Sequence, residues 1–95
     1  MSKDLARTLK GLKPELAMSY KVKEIGLFGS FVRGEQDASS DIDLLVEFGE
    51  EADLFDLVGL ALFLEDKLQR KVDVVPKRAL RAEIRDSVLR EVVAL

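Results

Sequence analysis

From Asp41 to Phe48 apolar and polar side chains alternate strictly enough to fix an extended backbone. Ile42, Leu44, Val46 and Phe48 fall on one face, and Asp41, Asp43, Leu45 and Glu47 on the other. One side of this strand requires a core, and the other begins with two carboxylates. A shorter apolar stretch, Glu24–Ser30, reads as a buried strand ending in a Gly29-Ser30 turn. A β-branched stretch, Lys71–Val75, is closed by Pro76 and reads as a third strand.

The segments between and around these strands carry helical spacing. Leu5, Leu9, Leu12, Leu16 and Ala17 recur on one side of the N-terminal segment, but Gly11 and Pro14 interrupt it, so two short helices or one kinked helix are expected. Asp53 is placed to cap a helix running to about Gln69, with Leu54, Leu57, Val58, Ala61, Leu62, Leu64 and Leu68 on one wide apolar side, and this helix is expected to be largely buried. Phe55, Leu60 and Phe63 broaden that stripe, leaving some apolar area for a homodimer or another protein contact. Leu80, Ile84, Val88 and Val92 form the inner side of a closing amphipathic helix, whose outer side carries Arg81, Arg85, Asp86 and Arg90. The polar stretch from Phe31 to Ser40 has room for one helical turn and a loop, with Gly34 as the helix terminator.

Composition narrows the chemistry. The 95 residues fit a single domain spanning 1–95, and a hydrophobic share of 47% is enough to give it a core. With 15 basic against 18 acidic residues the net charge is −3, which argues against direct binding to nucleic acid phosphates. The absence of cysteine and histidine excludes disulfides, thiolate or imidazole metal ligands and Ser-His-Asp triads. Carboxylates are the obvious metal ligands left. No apolar run reaches the length of about 18 residues that a membrane span needs, and no secretory signal opens the chain, so a cytoplasmic protein without membrane contact is expected.

Asp41 and Asp43 lie about 6.6 Å apart along one face of their strand, close enough for both carboxylates to reach one cation. An Asp-x-Asp alone is a common surface pattern; Asp73 changes the weighing. Set among Val72, Val74 and Val75 and read as lying at mid-sheet, it needs a charge partner. Two carboxylates about 4 Å apart repel by roughly 4 kcal/mol at an effective dielectric near 20, so a cluster of three calls for a cation. Magnesium, which joins carboxylates to substrate phosphates, fits best. The competing reading is an ion pair from Asp73 to Arg33 or Arg78. At the end of the first strand, Gly29 lets phosphate oxygens approach the backbone, Ser30 adds a hydroxyl, and Arg33 stands one turn further on to offer a charge-assisted contact.

Three blocks now stand in order: Leu27-Phe28-Gly29-Ser30-Phe31-Val32-Arg33-Gly34, Ser40-Asp41-Ile42-Asp43-Leu44-Leu45-Val46, and Val72-Asp73-Val74-Val75. Together they resemble the DNA polymerase beta-like nucleotidyltransferase superfamily, and more narrowly its minimal, MntA-type antitoxins. The resemblance covers nearly the whole chain. It implies an α+β fold with a small mixed β-sheet flanked by helices. It also implies that Asp41 and Asp43 hold two magnesium ions, that Asp73 is the third carboxylate and the base, and that Gly29 and Ser30 hold the triphosphate of ATP. In related antitoxins AMP passes to a tyrosine of the cognate HEPN-domain toxin, a ribonuclease, and silences it. Two other functions stay in play: an antitoxin that neutralises its toxin by binding alone, and an adenylyltransferase acting on a small molecule such as an aminoglycoside. The last usually needs an additional domain, for which these residues leave no room.

Overall fold

A computed structural model of the chain describes residues 2–95, with the elements α1 (Ser2–Tyr20), β1 (Val22–Phe28), α2 (Ser30–Arg33), β2 (Ile42–Phe48), α3 (Leu54–Leu68), β3 (Val72–Pro76), a 3-10 turn (Lys77–Ala79), α4 (Ala82–Glu91) and β4 (Val93–Ala94). The strands form one sheet in the order β3-β2-β1-β4. β1 runs antiparallel to both β2 and β4, whereas β2 and β3 are parallel, with α3 as their crossover. This is the mixed, helix-flanked α+β sheet that the motifs imply.

The alternation of β2 divides the core in two. Ile42, Leu44 and Val46 enter the larger cluster together with Leu9 and Leu16 of α1, Ile25 and Leu27 of β1, and Leu60 and Leu64 of α3. Leu45, on the opposite face, joins only Leu80 and Val88, with Phe28, Val75 and Val92 at the margin. Each fully buried leucine contributes roughly 1.5–3 kcal/mol of transfer free energy. Most of the stabilising area therefore lies on the α1/α3 side, and the other face is thinly covered by α4, of which only Val88 is buried.

Of the two forms expected for the N-terminal segment, the single helix is the one that forms, with 19 residues; two other expectations change. Pro14 and Lys10 both face solvent, so the Lys10 carbonyl that Pro14 cannot satisfy is on the side where water reaches it. The helix α3 is only half buried. Leu60 and Leu64 are its core residues, while Leu54, Phe55, Val58 and Leu62 of the same helix are exposed, Phe55 at 87%. Finally, the closing helix stops at Glu91, and the chain turns into a two-residue strand that pairs Leu27 with Val93 and Gly26 with Ala94.

The ends of α3 are where the sequence places them. Asp53 accepts the Asp56 N–H at 3.1 Å while Asp56 accepts the Asp53 N–H at 3.0 Å, a reciprocal cap. Gly59, a weak helix former in mid-helix, has its own reason: a Cβ there would sit 3.0 Å from Cε1 of Tyr20, whose ring packs against Phe63 with 5.5 Å between centroids. The salt bridge Lys21–Asp56, at 3.1 Å, closes the same α1–α3 seam.

Candidate active site

All the elements that carry the motif residues meet at one end of the sheet. β1 ends where β2 begins because the two are antiparallel, and β3 begins beside β2 because those two are parallel. The register then sets Asp43 directly beside Asp73 and opposite Phe28. Paired residues on neighbouring strands project to the same side, and strands lie about 4.8 Å apart, so the two carboxylates stand side by side. Asp41, two residues before Asp43, belongs to the same face.

Their charges act on one another. Partial burial pushes the Asp43 carboxyl above the usual aspartate range, the neighbouring Asp73 and Asp41 push it further, and Arg33 works in the opposite direction. Asp73 itself departs from expectation. β3 is an edge strand and Asp73 is exposed, so water rather than an obligatory ion pair solvates it, and Arg33 pairs with Glu35 and Glu91 instead. The pressure for a cation comes from the mutual repulsion felt at Asp43, not from burial of Asp73.

Gly29 bridges β1 and α2 with φ 81° and ψ −154°, a region almost restricted to glycine. A Cβ at this position would collide with the Asp43 carboxylate and lie 3.2 Å from the Asp43 Cβ. The turn and the acidic strand are therefore packed against each other through the missing side chain. The Gly29 carbonyl accepts the N–H groups of Val32 at 3.0 Å and Arg33 at 3.1 Å, which starts the single turn of α2, and Gly34 ends it in the left-handed conformation at φ 72°. Ser30, the first residue of that turn, is half-buried.

The loop that delivers Asp41 is held as firmly. Asp37 accepts the Ser39 N–H at 2.9 Å and the Ser39 hydroxyl at 2.8 Å, while the Ser40 hydroxyl accepts the Asp37 N–H at 2.9 Å. Arg70 donates through Nε to the Ser40 carbonyl at 2.8 Å and through Nη2 to the Asp37 carbonyl, and its guanidinium lies 5.0 Å from the centre of the Phe31 ring. One arginine thus ties the entry to β2 against α2.

A cavity of about 480 Å³ opens at this end of the sheet, lined by Gly29, Arg33, Asp43, Asp73 and Glu91 on its polar side and by residues such as Phe28, Val75 and Leu80 on its apolar side. Ser30 and Asp41 lie outside this lining. Among the described residues no three acidic side chains are gathered tightly enough to enclose a metal ion by themselves. Magnesium is commonly held by one or two carboxylates and completed by substrate phosphates and water, and the repelling Asp43–Asp73 pair, with Asp41 behind it, suits that mode of binding.

Residues 9–95 match the nucleotidyltransferase domain family. The chain is similar to the protein adenylyltransferase MntA of Thermococcus cleftensis, with 43% identity over 90 residues that cover 95% of this chain and 91% of the relative. The chain belongs to the minimal, MntA-type nucleotidyltransferases. Its backbone is similar to that of a solved structure provisionally named a minimal nucleotidyltransferase, with a TM-score of 0.84, 37% identity and coverage of 100% of this chain and 97% of that one. It is also similar to a chain in the crystal structure of a toxin–antitoxin with AMP-PNP, with a TM-score of 0.72, 28% identity and coverage of 88% of this chain and 69% of the other.

In this minimal nucleotidyltransferase one residue of the cavity escaped the sequence reading. Glu91, the last residue of α4, accepts the Gly29 N–H at 2.7 Å and an Arg33 Nη1 hydrogen at 2.8 Å. The Arg33 guanidinium first, and the Gly29 N–H second, hold the Glu91 carboxyl below the usual glutamate range. No motif surrounds Glu91. The only available signal was a glutamate in the last helical turn, where the helix dipole disfavours negative charge.

Proposed function

We propose that this nucleotidyltransferase moves AMP from magnesium-bound ATP to a tyrosine hydroxyl of a cognate HEPN-domain toxin, and so acts as an antitoxin. The observation that carries the reading is the in-register pair Asp43–Asp73, facing Gly29 and Arg33 across one cavity. Similarity to a protein adenylyltransferase and to a chain of a toxin–antitoxin crystallised with AMP-PNP supports it.

In this reading Asp41, Asp43 and Asp73 hold two magnesium ions, which supply positive charge to the triphosphate and to the attacking oxygen. Gly29 leaves room for the phosphates to approach the turn, and the Ser30 hydroxyl and the Arg33 guanidinium hold them. A bond forms between the tyrosine oxygen and the α-phosphorus, the bond to pyrophosphate breaks, and the phenolic proton passes to Asp73. Phe28, Val75 and Leu80 give the open cavity an apolar wall, and an acceptor packed on that wall would displace water and favour transfer to the toxin over hydrolysis.

The test combines the purified chain, magnesium-ATP and the HEPN-domain product of the adjacent gene. A mass increase of one or more AMP groups on a toxin tyrosine is expected, and it is lost when that tyrosine is replaced by phenylalanine. An unlabelled toxin, with a verified HEPN partner, rejects the proposal.

The exposed stripe of Leu54, Phe55, Val58 and Leu62 favours a second reading, neutralisation by contact alone. A chain carrying both Asp41→Asn and Asp43→Asn decides between them. Retained neutralisation means that contact suffices; lost neutralisation with an intact complex means that chemistry is required. Ultracentrifugation of the chain by itself tells a toxin surface from a homodimer surface.

A further inference from the structure

Glu91 is the one carboxylate of the cavity that the reading above does not use. Its position at the C-terminal end of α4 is electrostatically unfavourable for the helix, so helix stability does not account for it. Each of its oxygens instead meets a separate donor. Oε2 takes the Gly29 N–H at 2.7 Å, and Oε1 takes Arg33 Nη1 at 2.8 Å.

Both donors need a brace. Gly29 reaches its φ 81° conformation without strain but, lacking a Cβ, has many others open to it, so a contact that fixes its N–H narrows the turn to one form. Arg33 has a long, flexible side chain, and its Nε is bound by Glu35 at 2.8 Å; with Glu91 on Nη1 two of its three nitrogens are anchored and the plane of the guanidinium is set. Glu91 is well anchored in its turn. The Val92 N–H closes α4 on the Val88 carbonyl at 2.9 Å, Val93 and Ala94 pair with Leu27 and Gly26, and the Leu95 N–H reaches the Ile25 carbonyl at 3.0 Å. At Gly26 the approach is so close that a Cβ would lie 2.5 Å from the Val92 side chain. The strand that follows Glu91 is therefore fixed to the same β1 that ends at Gly29. This pairing fixes the Glu91 backbone, so only a side-chain rotation that gives up both hydrogen bonds would take the carboxylate away from Gly29 and Arg33.

We propose that Glu91 is a positioning residue for nucleotide binding: by holding the Gly29 N–H and the Arg33 guanidinium together, it sets the distance and orientation between the Gly29-Ser30 turn, whose Ser30 hydroxyl faces the phosphates while the Gly29 N–H stays with Glu91, and the arginine that pairs with them. This rests on the nucleotidyltransferase reading of Gly29 and Arg33 and extends it to a residue 62 positions away in the chain.

The experiment measures binding of α,β-methylene-ATP with magnesium to the full chain by calorimetry, and AMP transfer kinetics alongside. Glu91→Ala weakens binding and raises KM for ATP about tenfold with kcat nearly unchanged, because a charged hydrogen-bonded brace is lost and the reacting carboxylates are not. Glu91→Gln keeps an acceptor for the Gly29 N–H but loses the charge facing Arg33, so it falls between wild type and Glu91→Ala, and it carries the test if Glu91→Ala does not fold. In an Arg33→Ala background the Glu91→Ala penalty shrinks, since part of its action runs through Arg33. Unchanged or tighter binding in the Glu91 variants, or full additivity with Arg33→Ala, overturns the proposal while leaving the enzyme reading intact. A wild-type chain that binds no nucleotide overturns both.

Discussion

Replacing Gly29 by alanine attacks two features of the site at once, and they can be measured separately. The backbone at φ 81° and ψ −154° costs an L-residue roughly 1–3 kcal/mol, against which the lower unfolded-state entropy of alanine returns about 0.4–1 kcal/mol. The added Cβ also meets the Asp43 carboxylate. Turning that carboxylate away relieves the worst contact but leaves the two Cβ atoms 3.2 Å apart, which the strands can accommodate only by separating slightly. A net loss of about 1–3 kcal/mol is expected, which at a typical urea m-value for a small protein lowers the midpoint by about 1 M with m unchanged. In an Asp43→Ala background the carboxylate collision is absent, while the backbone strain and the contact between the two Cβ atoms remain, so the cost of Gly29→Ala falls by at least about 0.5 kcal/mol. Because Asp43 must leave its place in the single variant, AMP transfer falls about 100-fold even where the chain is fully folded. A neutral Gly29→Ala, or an equal cost in both backgrounds, would refute the packing of the turn against Asp43.

Two further outcomes follow from the same geometry. Asp43 has its folded-state pKa raised, so its ionisation opposes folding: the penalty is absent below the ordinary value of 3.8 and grows as pH rises through the raised folded value. Asp43→Asn in magnesium-free buffer should therefore raise the melting temperature at pH 7 and lose that advantage in acid, and a lower melting temperature at pH 7 would mean that Arg33 outweighs the burial and the two carboxylates. On α3, Leu64→Ala should cost about 2–5 kcal/mol in urea unfolding, whereas Leu62→Ala should stay within about 0.5 kcal/mol; comparable losses would place the buried side of the helix elsewhere.

What the sequence conveyed and what it concealed divide along physical lines. The strand β2 was legible because alternation is a local property and a shift of one residue would reverse its faces. The cap at Asp53 was legible because it is built within four residues. The packing side of α3 was not, since apolar residues nearly encircle that helix and its periodicity does not say which arc meets the sheet; Leu60 turned out to lie at the centre and Leu54 outside. Asp73 among valines looked like a mid-sheet carboxylate because strand order depends on which strands pair, and no single strand carries that information. Glu91 and β4 were invisible for a related reason. Their significance lies wholly in contacts with Gly29, Arg33 and β1, 58 or more residues earlier.

The division of the core explains how so small a sheet tolerates a cluster of repelling carboxylates. Asp43 and Leu45 share the face that α4 covers thinly, while Leu44 and Val46 point into the larger cluster with α1 and α3. Stability is thus gathered on one side of β2, and the electrostatically costly groups are placed at the open end of the other. Partial rather than full burial keeps the Asp43 penalty modest, exposure keeps Asp73 solvated, and Arg33 lends positive charge without pairing with either. A deeper site would hold a cation more firmly, but the carboxylates would then oppose folding whenever the cation was absent. An open, half-solvated group of aspartates lets the chain fold without a cation, and under the proposed function nucleotide and metal would complete the charge balance afterwards.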